Sequence, residues 1–210
     1  MLLGKNYIET YNEVKSKCVY GNNIKETKIT DSYKQLEYGI DNYPHDELIN
    51  TYICLGNHDM TFLLEESLNI KNLLLDKRHD LIPIGYGNGK IKILDNTFYL
   101  HHPISKCNIN SLGETVMNSI IIKGHYHQFK VITGITELII YTPTLSSVPT
   151  KAIKYNNLTY PSIIDAEFNL ENGIIKDAYL QHFLIIDNNL IRVGEVIVPK
   201  LNLYQKKKTK

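Results

Sequence analysis

The chain has 210 residues, of which 43% are hydrophobic, and a formal net charge of +1 at pH 7. That length suits one domain, or a domain with an appendage, and the apolar share is enough for a sizeable core. Near-neutral charge excludes a global pull toward nucleic acid or membrane, and three scattered cysteines (Cys18, Cys54, Cys107) with no C-x-x-C pair exclude a disulfide framework and a zinc ribbon.

Residues 1–30 are polar and weakly patterned, with Gly21-Asn22-Asn23 reading as a turn. From Asp31 the pattern predicts a helix. Asp31 can cap it, Tyr33, Leu36, Ile40 and Tyr43 recur at helical spacing, and Pro44 ends it. The β-branched and aromatic run 51–55 predicts a buried strand, within which Cys54 is a small hydrophobe. Residues 61–78 read as one or two helices broken near Asn69, with Leu63, Leu64, Leu68, Leu73 and Leu74 on the buried face.

Strands are then expected at 81–85, 90–94 and 97–101. The 85–89 loop lacks the lysine and Ser/Thr of a P-loop and reads as a turn, and Asp95-Asn96 fits a two-residue hairpin. A short helix at 111–118 precedes a strand at 119–123, and strands at 130–133 and 137–142 flank a turn at Gly134. The stretch 144–157 has no clear period. Strands at 163–168, 173–180, 183–186 and 190–198 close the pattern with Asn-Gly and Asn-Asn turns. The lysine-rich end, 205–210, reads as a solvated basic tail, with weak attraction to nucleic-acid phosphates as the minority reading. No basic segment leads into an apolar one, and no apolar run approaches ~18 residues, so a reducing cytoplasm is the default and no membrane partner is expected. A helix-containing first half and a strand-rich second half suit packed sheets flanked by helices.

Chemistry gathers at three strand ends. Gly56-Asn57-His58-Asp59 follows the strand 51–55, His101-His102-Pro103 ends 97–101, and Gly124-His125-Tyr126-His127 follows 119–123. A glycine lets the chain turn sharply at a strand's carboxyl end, where α/β folds place ligands. An amide oxygen, imidazoles and a carboxylate placed there could converge on one metal centre. In an extended segment, i and i+2 side chains point the same way, so His125 and His127 can face one site while Tyr126 turns into packing. His101 and His102 compete for one ligand place, since neighbours in a strand point to opposite sides. His45, His79 and His182 carry no motif and read as solvated or locally bonded.

These motifs, in this order, resemble the calcineurin-like metallophosphoesterase superfamily, and its small bacterial and phage-borne members above all. Tyr43-Pro44, Lys77-Arg78-His79-Asp80, the His-Pro pair and Gly-His-Tyr-His-Gln add to the likeness, which runs from about Val19 to about Phe183. The resemblance implies an α/β fold, an αββα sandwich of two mixed sheets flanked by helices, over residues 1–204. It implies a metal-dependent phosphoester hydrolase acting on a monoester, a diester or nucleic acid. Asn57, His102 and His125 match ligands of the second metal, His127 a ligand of the first. His102 is favoured over His101 because the family's histidine stands directly before Pro or Gly. His58 matches the general acid, and Asp59 would orient it. The metals would be Mn, Fe, Zn or Co.

The family opens with Asp-x-His and Gly-Asp-x-x-Asp, and neither motif occurs here. Asp31, Asp41, His45 and Asp46 are available substitutes without the expected spacing. The expectation is therefore a chain lacking the amino-terminal βαβ unit of its family, with one metal in place of two and impaired turnover. A catalytically inactive scaffold and a fragment of a longer phosphoesterase stay open as alternatives.

Overall fold

The computed structural model describes residues 31–46, 48–103, 119–134, 137–145, 161–186, 189–199 and 201. They fall into two compact units, Met1–Tyr86 and Gly87–Lys210. The expected features at 1–30, 111–118 and 205–210, and most of 144–157, lie outside the described residues.

In the first unit, helix α1 (Ser32–Asn42) is capped by Asp31, whose side chain accepts from Lys34 N at 2.8 Å, and it buries Leu36 and Ile40. It stops where Tyr43 turns extended ahead of Pro44. Its carbonyl end is held by Arg78, which donates to Ile40 O, Tyr43 O and Pro44 O, each at 3.1 Å, and forks onto Asp80. Strand β1 (Thr51–Leu55) pairs in parallel with β2 (Leu81–Tyr86). Helices α2 (Asn57–Glu66) and α3 (Ile70–Lys77) join them. The break between the helices is built from Ser67, in the left-handed region, and from Asn69, which caps α3.

Leu36, Ile40, Leu55, Phe62, Ile70, Leu74 and Leu81 form one core, with Leu68 and Leu73 packed against it. The expected buried face needs correction at Leu64, which is 76% exposed. Phe62 takes the buried place. Residues two apart lie about 200° around a helix, so burying Phe62 turns Leu64 outward. Cys54 is half-buried.

The second unit holds a five-stranded mixed sheet ordered β3-β4-β5-β7-β6 and a three-stranded antiparallel sheet ordered β10-β9-β8. The strands are β3 (Asn88–Ile93), β4 (Asn96–His101), β5 (Ser119–Lys123), β6 (Lys130–Thr133), β7 (Glu137–Tyr141), β8 (Ser162–Glu171), β9 (Ile174–Ile186) and β10 (Asn189–Val198). Strands β4, β5 and β7 run parallel, and the two edge strands run against them. Phe98, Ile120, Leu138 and Ile140 from one sheet meet Ile175, Ala178, Leu180 and Val198 from the other in a shared core. Phe98 and Phe168 touch edge to face, with centroids 5.5 Å apart.

The protein is thus a mixed α/β structure with several sheets and few helices, the class its pattern predicts. Two details differ from the sequence reading. The β3–β4 turn is Leu94-Asp95, not Asp95-Asn96, because Asn96 is a strand residue paired with Ile93. Its amide bridges the sheets, donating to Gly173 O at 2.7 Å and accepting from Ile175 N at 2.9 Å. The strands expected at 173–180 and 183–186 are one strand, β9. Gln181 and His182 interrupt the apolar run, but both pair with β8 on one side and β10 on the other, so the ladder carries through them. No helix among the described residues is long and apolar enough to cross a membrane.

Candidate functional site

In the first unit the Gly-Asn-His-Asp segment is a strand-to-helix corner. Strand β1 ends at the buried Leu55, Gly56 is extended, and α2 begins at Asn57. Asp59 Oδ2 accepts from Gly56 N at 2.7 Å, which satisfies one of the free N–H groups that every helix start exposes. Burial pushes the Asp59 carboxyl above its ordinary value, against the opposing pull of that Gly56 bond. Asn57 and His58 occupy the first turn and are half-buried. The positive end of the helix dipole lies here and favours an anionic group.

In the second unit, the parallel strands β4, β5 and β7 finish level. His101 is the register partner of Lys123, and Lys123 of Tyr141. The ladder runs one residue further, through Gly124 N to His101 O at 2.9 Å and Thr142 N to Lys123 O at 2.8 Å. This sets His102 directly beside Gly124. A Cβ on Gly124 would stand 2.9 Å from His102 Nδ1, so the glycine makes room for the ring. The His102 and His125 rings then meet edge to face, with centroids 5.3 Å apart. His101 goes elsewhere: it is 6% exposed and its Nδ1 bonds to Asn88 Oδ1. Burial, then the Lys123 and His125 charges, hold its pKa below the ordinary value.

The expected extended form of His125 to His127 is corrected by the backbone. His125 (φ 76°) and His127 (φ 53°) both adopt the left-handed region. The reason is topological. Strand β6 runs antiparallel to β7, and β7 parallel to β5, so the chain must reverse direction between Lys123 and Lys130. A reversal this short uses positive-φ residues. Simple i, i+2 alternation therefore fails, and Tyr126 does not turn into packing. It is 38% exposed, edge-on to both His125 and Tyr141, at 5.7 Å and 5.4 Å between centroids. His127 is held below its ordinary pKa by burial and then by the His125 charge. That favours the neutral imidazole, the form that ligates metals.

Sequence reasoning missed two neighbours of this site. Lys123 is 3% exposed although charged, and its Nζ lies 5.6 Å from the Tyr141 ring centroid. Lys130 Nζ lies 5.8 Å from the same centroid. Away from them, His182 packs on Phe129 at 4.8 Å, with its Nε2 buried and unbonded. Lys123 carried a usable signal, a lone charge closing an otherwise apolar strand before a glycine.

The donor types fit a divalent transition metal. Imidazoles suit Mn, Fe, Zn or Co, and the His102–His125 pair sits where a Cβ on Gly124 would collide with the His102 ring. Among the described residues, no group of three or more His, Cys, Asp or Glu side chains is gathered to hold an ion.

No family model and no curated protein matches the chain. Several solved structures are similar to it. Wild-type Vps29 from Entamoeba histolytica, complexed with Zn2+, is 14% identical over 60% of this chain and 73% of its own, with a TM-score of 0.40. A single mutant of that Vps29 is 12% identical over 83% of this chain and 94% of its own, with a TM-score of 0.45. Vacuolar protein sorting 29 from Cryptosporidium parvum is 14% identical over 88% and 94%, also with a TM-score of 0.45. The likeness is one of chain trace, and the chemistry is read from this chain's own residues.

Proposed function

We propose that the chain is a metal-dependent phosphoester hydrolase of calcineurin-like metallophosphoesterase descent, with 1–204 as its domain and a phosphoester as its partner. The observation that supports this best is the His102–His125 pair over Gly124, where the glycine of Gly-His-Tyr-His makes room for the histidine of His-Pro. Those two motifs are separated by 21 intervening residues (103–123) and meet through strand register.

In this reading His102 and His125 would hold the ion, and the family pattern adds His127 as a further ligand. A bound divalent ion withdraws charge from phosphoryl oxygens and lowers the pKa of bound water. His58, in the first turn of α2, supplies a proton to the leaving oxygen. Asp59, fixed by the Gly56 N–H, keeps that turn in place and orients His58.

A second reading, a metal-binding scaffold without turnover, is favoured by one observation: neither Asp-x-His nor Gly-Asp-x-x-Asp occurs in the sequence. Without those donors the nucleophile loses charge support, and losing one such group commonly costs about 10²–10³ in rate.

One experiment separates the readings: Mn2+ titration by calorimetry beside hydrolysis of bis(p-nitrophenyl) phosphate, for wild type, His125→Ala and His58→Ala. The hydrolase reading expects saturable binding lost in His125→Ala, and turnover lost in His58→Ala with binding kept. Binding without turnover selects the scaffold. Absence of both overturns the metallophosphoesterase reading.

A further inference from the structure

We infer that Tyr126, Tyr141 and Lys130 form a nucleotide subsite beside the His102–His125 pair, Tyr126 stacking on the base and Lys130 pairing with a phosphate. The inference deepens the proposed hydrolase by naming its substrate class, and its phosphoryl end rests on that reading.

The rings make a continuous series. His102 meets His125 at 5.3 Å, His125 meets Tyr126 at 5.7 Å, and Tyr126 meets Tyr141 at 5.4 Å, each edge to face. The series therefore runs from the candidate metal ligands outward to an aromatic side chain that is partly open to solvent. Two ammonium groups flank its far end. Lys123 and Lys130 are the register partners of Tyr141 on either side, and both lie within 6 Å of its ring, at 5.6 Å and 5.8 Å. Lys123 is buried and anchors the ring as a cation on its face. Lys130 is exposed and free to reach an anion.

The reversal that places Tyr126 between His125 and His127 presents its ring at the surface, and edge-on contacts at His125 and Tyr141 leave part of it open. Bases stack on such rings whatever their sequence, while lysines track the phosphates. A substrate that joins an aromatic ring to a phosphate matches this juxtaposition. A phosphorylated sugar or a phosphoprotein would leave the tyrosines unused.

The test is equilibrium binding to the full chain, with and without Mn2+, using AMP, ribose 5-phosphate and a single-stranded pentanucleotide as probes. AMP should bind about tenfold or more tighter than ribose 5-phosphate, the gain expected of one stacked base. Tyr126→Leu should abolish that preference at unchanged melting temperature, and Tyr126→Phe should keep it. Lys130→Gln should weaken AMP and ribose 5-phosphate by the same factor and flatten the salt dependence. A pentanucleotide preference over AMP would name nucleic-acid ends as the source, and the reverse would name free nucleotides. Equal affinity for AMP and ribose 5-phosphate, or a preference indifferent to Tyr126→Leu, overturns the inference. Because binding is read with and without Mn2+, a base preference that needs no metal would uphold the subsite even if the hydrolase reading failed. Metal-dependent phosphate binding without base preference would do the opposite.

Discussion

At Gly124 an added methyl would stand 2.9 Å from His102 Nδ1, and the neighbour is a ring with few ways to retreat. Gly124→Ala should therefore displace the His102 ring and leave the backbone unstrained. Overpacking of this kind costs about 1–3 kcal/mol. Mn2+ affinity should fall about 10–100-fold, as when a partner of a metal ligand is disturbed. Calorimetric titration checks this, and unchanged affinity would remove His102 from the ligand set. Asp59→Asn tests a different role at the same scale. Asparagine can still accept from Gly56 N, so the helix start should persist. Turnover should drop about 10–100-fold while metal content holds. Metal loss together with recovery on added Mn2+ would make Asp59 a ligand instead. Tyr126 shows how far alternation can mislead: in a strand it would point away from its neighbours' site, and in the reversal it stands beside His125.

Two polar contacts each join elements that apolar packing alone would leave in looser register. Asn96 is 4% exposed and completes the backbone of Gly173 and Ile175 from the opposing sheet. Asn96→Ala strands the buried Ile175 N–H and leaves the half-buried Gly173 carbonyl without its partner, a loss of about 1–3 kcal/mol. Urea unfolding should register it as a lower midpoint with an unchanged slope. A loss under about 0.5 kcal/mol would mean that water replaces the amide. Arg78 is the corresponding clamp of the first unit, tying the end of α1 to the start of β2. Its guanidinium holds the Asp80 carboxyl well below the ordinary 3.8, at about 2. A carboxyl depressed in this way adds stability above its unfolded value. That contribution fades as pH falls from 3.8 through about 2. Wild type should therefore exceed Asp80→Asn in stability at pH 6, and the gap should close across that acid window. A constant gap down to pH 2 would refute the assignment. The strands were largely legible, because β1, β4, β5 and β7 are short apolar runs ending in glycine, histidine or a turn. The Asn96 bridge was not legible, because a turn-forming residue type was used as a strand-to-strand connector.

For the molecule as a whole, the proposed metal binding would be linked to folding. An ion that binds only the folded chain stabilises it by about 2.7 kcal/mol at a hundred times its dissociation constant. Mn2+ should raise the melting temperature of wild type in a concentration-dependent way, and should fail to do so for the His102→Ala/His125→Ala double variant. An equal rise in both proteins would place the binding elsewhere. The sequence placed two motifs where the fold puts them: Gly56-Asn57-His58-Asp59 stands at a strand-to-helix corner, and His102 and His125 meet. It located their orientation poorly, since a motif names residues while φ angles and strand register aim them.

By itself the sequence determined the α/β class, the helix cap at Asp31, the helix break near Asn69, and the strand ends that carry Asn57, His102 and His125. Each follows from local rules: apolar periodicity, side-chain acceptors for free N–H groups, and glycine where a strand must turn. Only the tertiary structure decided that Phe62 rather than Leu64 is buried and that β9 runs unbroken through Gln181 and His182. It alone placed Lys123, Tyr141 and Lys130 in one row and brought Tyr126 against Tyr141. Those outcomes depend on register between strands that are distant in sequence, and no local pattern encodes a register.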